Sequence, residues 1–376
     1  MDIPRAIESN ILKRLQPNKV VVIYGPRQVG KTTLLHHILP HLKNNVLFLS
    51  GEDRFVQSWL SSRSIETLKE NIRKKRILIV DEAQKVPGIG INLKLTVDHI
   101  QGIRVIATGS SSFELARQVG EPLVGRKWQF YLYPIAQLEL NPLEAPFETQ
   151  SRLESRLIYG AYPEVITTPD IILKRDLLHS IVDGYLFRDI LELNGIRKPR
   201  KIIDVLKLLA FQIGNEVSLS EVGNNVNLDL RTIERYLDLL EKAFVIRKVD
   251  GFSRNLRKEI TKSSRYYFFD NGIRNALINN FNDVKTRNDT GRLWENYLFM
   301  ERIKKLDYQN ISANRYFWRT YTQQEIDLVE EKEGKLFGYE FKWGRKQGKI
   351  PTEWRRAYPD AEYTTINQDN YSDFIT

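Results

Sequence analysis

The sequence predicts an α/β protein of three modules, and three observations carry that expectation. The apolar run Val20–Tyr24 feeds the glycine loop GPRQVGKT at residues 25–32, the strand-to-loop-to-helix passage that opens a mostly parallel sheet. A helical pattern over residues 217–244 leads into a basic pair of strands, the outline of a winged helix. Alternating runs on both sides of Lys332-Glu333-Gly334-Lys335 predict a hairpin inside a C-terminal α/β module. The expected modules span residues 1–145, 146–275 and 276–376.

The loop matches GxxxxGK(S/T) at every fixed position. Gly25 and Gly30 let the backbone curl so that its N–H groups converge on phosphate oxygens. Residues Gly25, Pro26, Arg27, Gln28, Val29, Gly30, Lys31, Thr32 and Thr33 are the expected ATP cradle. Lys31 brings a point charge to the β- and γ-phosphates, Thr32 offers a hydroxyl to Mg²⁺, and the following helix turns its positive end to the same anion.

Residues 77–84 read ILIVDEAQ, a buried strand ending in two acids. Asp81 is the expected metal acid, and Glu82 is placed to orient and deprotonate an attacking water. A third strand, Arg104–Thr108, runs into Gly109-Ser110-Ser111-Ser112. A polar side chain at that strand end can touch the γ-phosphate or the water. Thr108 and Ser110 are the candidates, with Ser110 preferred over the alternative of an ordinary serine-rich turn. Arg126 precedes a strand over 128–132. It is read either as an arginine finger, acting in trans within a homo-oligomer, or as a surface or cis contact.

The chain has 376 residues, no cysteine and a formal net charge of +10. Disulfides and thiolate metal sites are thereby excluded, and a cytoplasmic setting is expected. No apolar run approaches membrane-spanning length, so no membrane partner is expected, and the N-terminus lacks a signal-peptide core. The positive charge points to an acidic partner such as DNA.

That charge is concentrated. Residues 247–265 carry Arg247, Lys248, Arg254, Arg257, Lys258, Lys262 and Arg265 against only Asp250 and Glu259. Upstream, Ser218 or Ser220 is the expected N-cap of a first helix, and Asn224–Asn227 a turn. Leu230, Ile233, Tyr236, Leu237, Leu240 and Phe244 recur at helical spacing in a second helix. Arg231, Thr232, Glu234 and Arg235 on that helix are the expected groove-facing residues, with the 247–258 hairpin as wing. A packing domain with a solvated basic face is the alternative.

Near the C-terminus, a two-residue turn at Glu333-Gly334 sets Asp327 opposite Glu340. Lys342 projects from the same face as Glu340. Two carboxylates and a lysine there, with Glu295 from an upstream helix, form a candidate Mg²⁺ or Mn²⁺ site that activates water against phosphate. Ordinary cross-strand charge pairing is the competing reading. His36, His37 and His41 are read as an exposed helix end, because Pro40 disturbs their spacing.

Taken together, GPRQVGKTTLL, ILIVDEAQ, TGSSSFEL and LVGR resemble the prokaryotic AAA+-like ATPases of the archaeal-ATPase and STAND-related branch. YGAYPEVI at 159–166, YLFRDILEL at 185–193 and the series GRLWEN, YFWRT, EIDLV and YEFK resemble the C-terminal half of the same proteins, whose last domain is similar to a PD-(D/E)xK nuclease. The resemblance spans about residues 15–350. It implies a P-loop ATPase core with a mostly parallel sheet, a helical and winged-helix middle, and a C-terminal α/β nuclease-like domain. It also implies phosphate and Mg²⁺ roles for Lys31 and Thr32, the metal acid at Asp81 and the base at Glu82. Asp327, Glu340 and Lys342 match the nuclease motif, and Glu295 its helical acid. Two functions follow as expectations: an ATPase whose nucleotide state controls DNA engagement with phosphodiester cleavage, or an ATP-driven switch whose last domain only binds a partner.

Overall fold

The computed structural model describes residues 2–42, 45–109, 120, 122–186, 199–253 and 264–376. They fall into two compact units, one of residues 2–134 with 242–244 and one of residues 135–241 with 245–376.

The first unit is built on strands β1 (Val20–Tyr24), β2 (Val46–Ser50), β3 (Ile77–Asp81), β4 (Arg104–Gly109) and β5 (Lys127–Tyr131). Every neighbouring pair is parallel, in the order β2-β3-β4-β1-β5. β1 and β3 are buried along their whole length, as aliphatic strands covered on both faces must be. The third strand in chain order of those foreseen, β4, lies between the loop-bearing β1 and the acid-bearing β3. Its carboxyl end therefore opens between theirs.

In the second unit, helix Pro199–Phe211 leads to β6 (Glu216–Val217), helices Leu219–Val226 and Leu230–Lys242 follow, and β7 (Ile246–Asp250) and β8 (Ser264–Phe268) complete a small sheet ordered β6-β8-β7. Ser218 caps the first of the short helices, its Oγ accepting the Glu221 N–H at 3.4 Å. The turn expected over 224–227 is shorter than that: the helix runs to Val226, and Asn227 alone turns left-handed at φ 54°. Leu230 is exposed because it opens its helix, whereas Ile233, Tyr236, Leu237 and Leu240 are core.

The C-terminal part sets helix Thr290–Tyr308 beside a sheet of β9 (Asn314–Arg319), β10 (Glu325–Lys332), β11 (Lys335–Phe341) and β12 (Glu362–Ile366), ordered β12-β11-β10-β9. β10 and β11 pair antiparallel with Leu328 opposite Tyr339 and Lys332 opposite Lys335, the register that a Glu333-Gly334 turn dictates. Phe252, Trp318, Ile326, Val329, Leu336 and Trp354 form its core.

Packing continues across residues 275–276, where a module boundary was expected. The Asn296 side chain bonds both the N–H and the carbonyl of Phe268, at 2.7 and 2.9 Å. Asn271 donates to the carbonyl of Leu293 at 3.0 Å. These buried polar groups find their partners across the proposed division, so the helices and small sheet of residues 199–268 and the C-terminal sheet belong to one compact unit.

Gly160 pins the packing of helix Pro146–Tyr159 against the turn at Asp270. It sits at φ 72° and ψ −156°, a conformation open to glycine and closed to other residues, and an added Cβ would stand 1.9 Å from Asp270 Oδ1. Asp270 accepts the Ala161 N–H at 2.7 Å. Gly160→Ala is expected to cost about 3 kcal/mol or more in urea unfolding. Gly125→Ala, with φ 72° but open space around it, is expected to cost only about 1 kcal/mol. Equal losses at both positions would refute the steric account.

Candidate functional site

The phosphate loop leaves the carboxyl end of β1 and opens helix Lys31–Ile38, with Gly30 as its N-cap at φ 93°. Gly25 passes so close to the next strand's exit that a Cβ would come within 2.3 Å of the Leu132 carbonyl oxygen. Lys31 is buried, and its Nζ donates to the carbonyls of Gly25 at 3.0 Å and Pro26 at 2.9 Å. The loop thus curls around its own ammonium group at the place where anionic oxygens would compete for it.

Arg5, which the sequence reading passed over, braces the loop from behind. Its Nη1 donates to the Val29 carbonyl at 2.7 Å and its Nη2 to the Tyr133 carbonyl at 2.6 Å. A planar trans peptide then turns the Gly30 N–H the opposite way, as an anion cradle requires. The available signal was a cation between Ile3 and Ile7, both buried.

Asp81, at the end of β3, joins the loop to β4. Thr32 Oγ1 donates to Asp81 Oδ2 at 2.6 Å. Thr108 Oγ1 donates to Asp81 Oδ1 and accepts the Glu82 N–H at 3.1 Å. Glu82 is left-handed at φ 50°, and Gln84 Nε2 holds its Oε2 at 2.5 Å. A non-glycine residue in that conformation is strained by about 1 kcal/mol or more, a strain found where a side chain must be aimed. Thr32 and Asp81 present hard oxygen donors side by side and fit Mg²⁺. Ser110, preferred over Thr108 in the sequence, lies outside the described residues; Thr108 is the strand-end hydroxyl that contacts both acids.

Arg126 does not reach this chain's loop. It immediately precedes β5, whose Lys127 pairs with Val20, so it stands at the amino edge of the sheet while the loop leaves the carboxyl edge. Its Nε lies 2.6 Å from Asp98 Oδ1. His37 and His41 lie 3.3 and 3.5 Å from Asp2 and Glu8, consistent with a helix end.

The C-terminal residues do converge. Glu295, Asp327 and Glu340 are all buried, and Phe341 N–H donates to Asp327 Oδ2 at 2.8 Å. Lys342 Nζ donates to Glu340 Oε1. The cluster already contains a cation that the sequence reading had assigned elsewhere. Arg265, counted into the basic wing, is 2% exposed. Its Nη1 lies 3.3 Å from Glu295 Oε1 and 3.6 Å from Asp327 Oδ1, and its Nη2 lies 2.9 Å from Glu325 Oε2. Its guanidinium stacks 4.7 Å from the Phe317 ring centroid, and Tyr267 donates to Glu295 Oε1 at 2.6 Å.

Burial pushes the Glu295 carboxyl up to about 8, with the Asp327 charge adding to it, and Glu340 up to about 7 for the same two reasons. Burial also raises Asp327, against the pull of Arg265. These carboxylates do not fit a divalent ion, because the Arg265 guanidinium already faces Glu295 and Asp327 and the Lys342 ammonium already holds Glu340. Among the described residues, no group of three or more His, Asp or Glu is arranged to hold a metal.

The expected DNA face is also less basic than its composition. Arg265 is buried, Lys248 Nζ lies 2.9 Å from Asp250, and Arg247 lies 3.8 Å from Glu241. Arg254, Arg257, Lys258 and Lys262, like most of the 185–193 stretch, lie outside the described residues. No helix among the described residues is long and apolar enough to cross a membrane.

Residues 17–141 match the family model of an AAA domain. Residues 150–284 and 290–369 match two further models, each described as a domain of unknown function. An uncharacterized protein of Methanocaldococcus jannaschii is 26% identical over 386 residues, covering 96% of this chain and 84% of that one. An uncharacterized Haemophilus influenzae protein is 27% identical over 312 residues, covering 76% of this chain and 74% of that protein. Among solved structures, a signal-transduction ATPase with numerous domains and a tetratricopeptide-repeat sensor, from Pyrococcus horikoshii, aligns with TM-score 0.32 and 14% identity. The alignment covers 82% of this chain and 47% of that one, so the chain spans about half its length. A Thermotoga maritima RuvB variant aligns with TM-score 0.31 and 16% identity, over 64% of this chain and 85% of that one. The loop, the parallel sheet and the AAA match together identify the first unit as a P-loop, ATPase-like nucleotide-binding domain.

Thr108→Val removes one hydroxyl that bonds both the Asp81 carboxylate and the Glu82 backbone N–H. ATP turnover is expected to fall by about 10- to 100-fold while the Kd for ATP changes by less than about threefold. Steady-state hydrolysis and a fluorescent-nucleotide titration separate the two effects; unaltered turnover would deny Thr108 its role.

Proposed function

We propose that the chain is an ATP-hydrolysing molecular switch whose C-terminal domain binds a partner and does not cut. The observation that carries this reading is the shared Asp81 carboxylate, bonded by Thr32 from the loop helix and by Thr108 from β4, with Glu82 attached to the same threonine. In the mechanism, Lys31 exchanges the carbonyls of Gly25 and Pro26 for β- and γ-phosphate oxygens. Thr32 and Asp81 would hold Mg²⁺, which when bound would neutralise phosphate charge. The Glu82 carboxylate accepts a proton from the water that attacks the γ-phosphorus, and the bond to the bridging oxygen breaks to leave ADP and phosphate. Gln84 and Thr108 keep Glu82 aimed. Loss of the γ-phosphate returns Lys31 to the loop carbonyls, which supplies two local states for a switch.

DNA is the partner to test first, because Arg231 and Arg235 are both exposed one helical turn apart on helix Leu230–Lys242. Self-assembly with Arg126 acting in trans is the alternative output. Salt-sensitive DNA binding that alters ATP turnover supports the former; a nucleotide-dependent change in oligomer size without a DNA response supports the latter.

Lys31→Ala is expected to abolish ATP binding in a calorimetric titration. Glu82→Gln is expected to retain ATP while turnover falls by about 10²- to 10⁴-fold. Wild-type turnover in Glu82→Gln would mean that another group takes the proton.

A further inference from the structure

The carboxylates of Glu295, Asp327 and Glu340 come from a helix and the two arms of a hairpin, and Lys342 faces Glu340, yet the cation that faces Glu295 and Asp327 comes from a fourth element, β8. We propose that Arg265 is the resident cation of this cluster, held there permanently, so that guanidinium and divalent ion exclude one another and the C-terminal domain as folded has no metal-dependent cleavage.

Four observations support permanence and not transient blocking. β8 is the central strand of its sheet, with Arg265 paired to Glu216 on one side and Val249 on the other, so withdrawal would require breaking both edges. The guanidinium is fixed by stacking on Phe317 while its two terminal nitrogens face the carboxylates of Glu295, Asp327 and, at the rim, Glu325. Glu295 is roofed by backbone: Gly214, at φ 73°, passes so close that a Cβ there would lie 3.0 Å from Glu295 Oε2. Glu295, Asp327 and Glu340 are each less than 10% exposed, and Glu340 Oε2 has no hydrogen-bond partner among the described residues. A metal that cuts a phosphodiester must keep coordination positions open to substrate and water. A planar guanidinium fills the same charge requirement and offers none.

The inference does not depend on the nucleotide site, and its test keeps the two apart. Every protein is full length and carries Asp81→Asn, which removes the metal acid of the phosphate loop. Mn²⁺ bound per chain is counted by electron paramagnetic resonance without nucleotide. Thermal unfolding checks that each variant is folded. With Arg265 present, Glu340→Gln and Asp327→Asn are expected to bind the same amount of Mn²⁺ as their parent. Arg265→Ala is expected to gain one Mn²⁺ per chain, and Arg265→Ala with Glu340→Gln to lose it again. Mn²⁺ in the parent that either Glu340→Gln or Asp327→Asn removes would overturn the proposal. A folded Arg265→Ala protein that gains no ion would also overturn it. If Arg265→Ala does not fold, the parent and Glu340→Gln decide alone: equal Mn²⁺ upholds the proposal and a loss overturns it. Glu340→Gln is the milder acid substitution, because it leaves shape unchanged at an oxygen that has no hydrogen-bond partner among the described residues.

Discussion

Parallel strands share one polarity, and that constraint positions everything the nucleotide site uses. In the order β2-β3-β4-β1-β5, the carboxyl ends of β1, β3 and β4 open along one edge with β4 in the middle. The loop after β1, the acids at the end of β3 and the hydroxyl near the end of β4 therefore meet without any long-range device. Asp81 is the point of contact, shared between Thr32 and Thr108. The same polarity places Arg126, which precedes its strand, at the opposite edge. At the strand rise of about 3.3 Å per residue, the five residues of β5 separate it from the loop edge by roughly 16 Å.

The second unit answers a different constraint, the cost of burying charge. Three carboxylates less than 10% exposed cannot all ionise without a partner. Arg265 and Lys342 supply that partner, and Tyr267 adds a hydrogen bond. The arrangement ties β8 to the C-terminal helix and sheet, which explains why packing runs through residues 275–276 without a break. Removing Arg265 takes away the cation that faces Glu295 and Asp327 and leaves Lys342 alone against them, a far larger penalty than the net gain from the pair.

Much of this was legible in the chain itself. The β1 run, the GKT loop and ILIVDEAQ each sit on the element their pattern implies, because apolar runs and glycine loops report local conformation. The β10–β11 register was legible too, since a two-residue turn fixes it. What was not legible depends on contacts between distant segments. Strand order could not be read from strand sequences, so Thr108 was weighed against Ser110 without knowing that β4 lies beside β3. Arg5 acts on Val29 and Tyr133, residues 24 and 128 positions away. Arg265 lies in a basic stretch and is counted with it, although its side chain points into an acidic cluster. Charge summed along a segment says nothing about which side of a strand each charge faces.

That last case shows how one residue pattern can serve two electrostatic solutions. Asp327, Glu340 and Lys342 with Glu295 would match a metal centre, and the same four residues match an ion-pair cluster equally well. The difference lies in what neutralises them. A divalent ion brings two charges, open coordination positions and the power to acidify water. Arg265 brings one charge, five fixed donors and no means of activating water. With Glu325 at its rim, the cluster holds four carboxylates against the two cations Arg265 and Lys342. The shortfall in positive charge appears where electrostatics requires it, in Glu295 and Glu340 carboxyls raised to about 8 and about 7, first by burial and then by the Asp327 charge. A cluster balanced in this way holds its elements together and supplies no Lewis acid with which to activate a water against a phosphodiester.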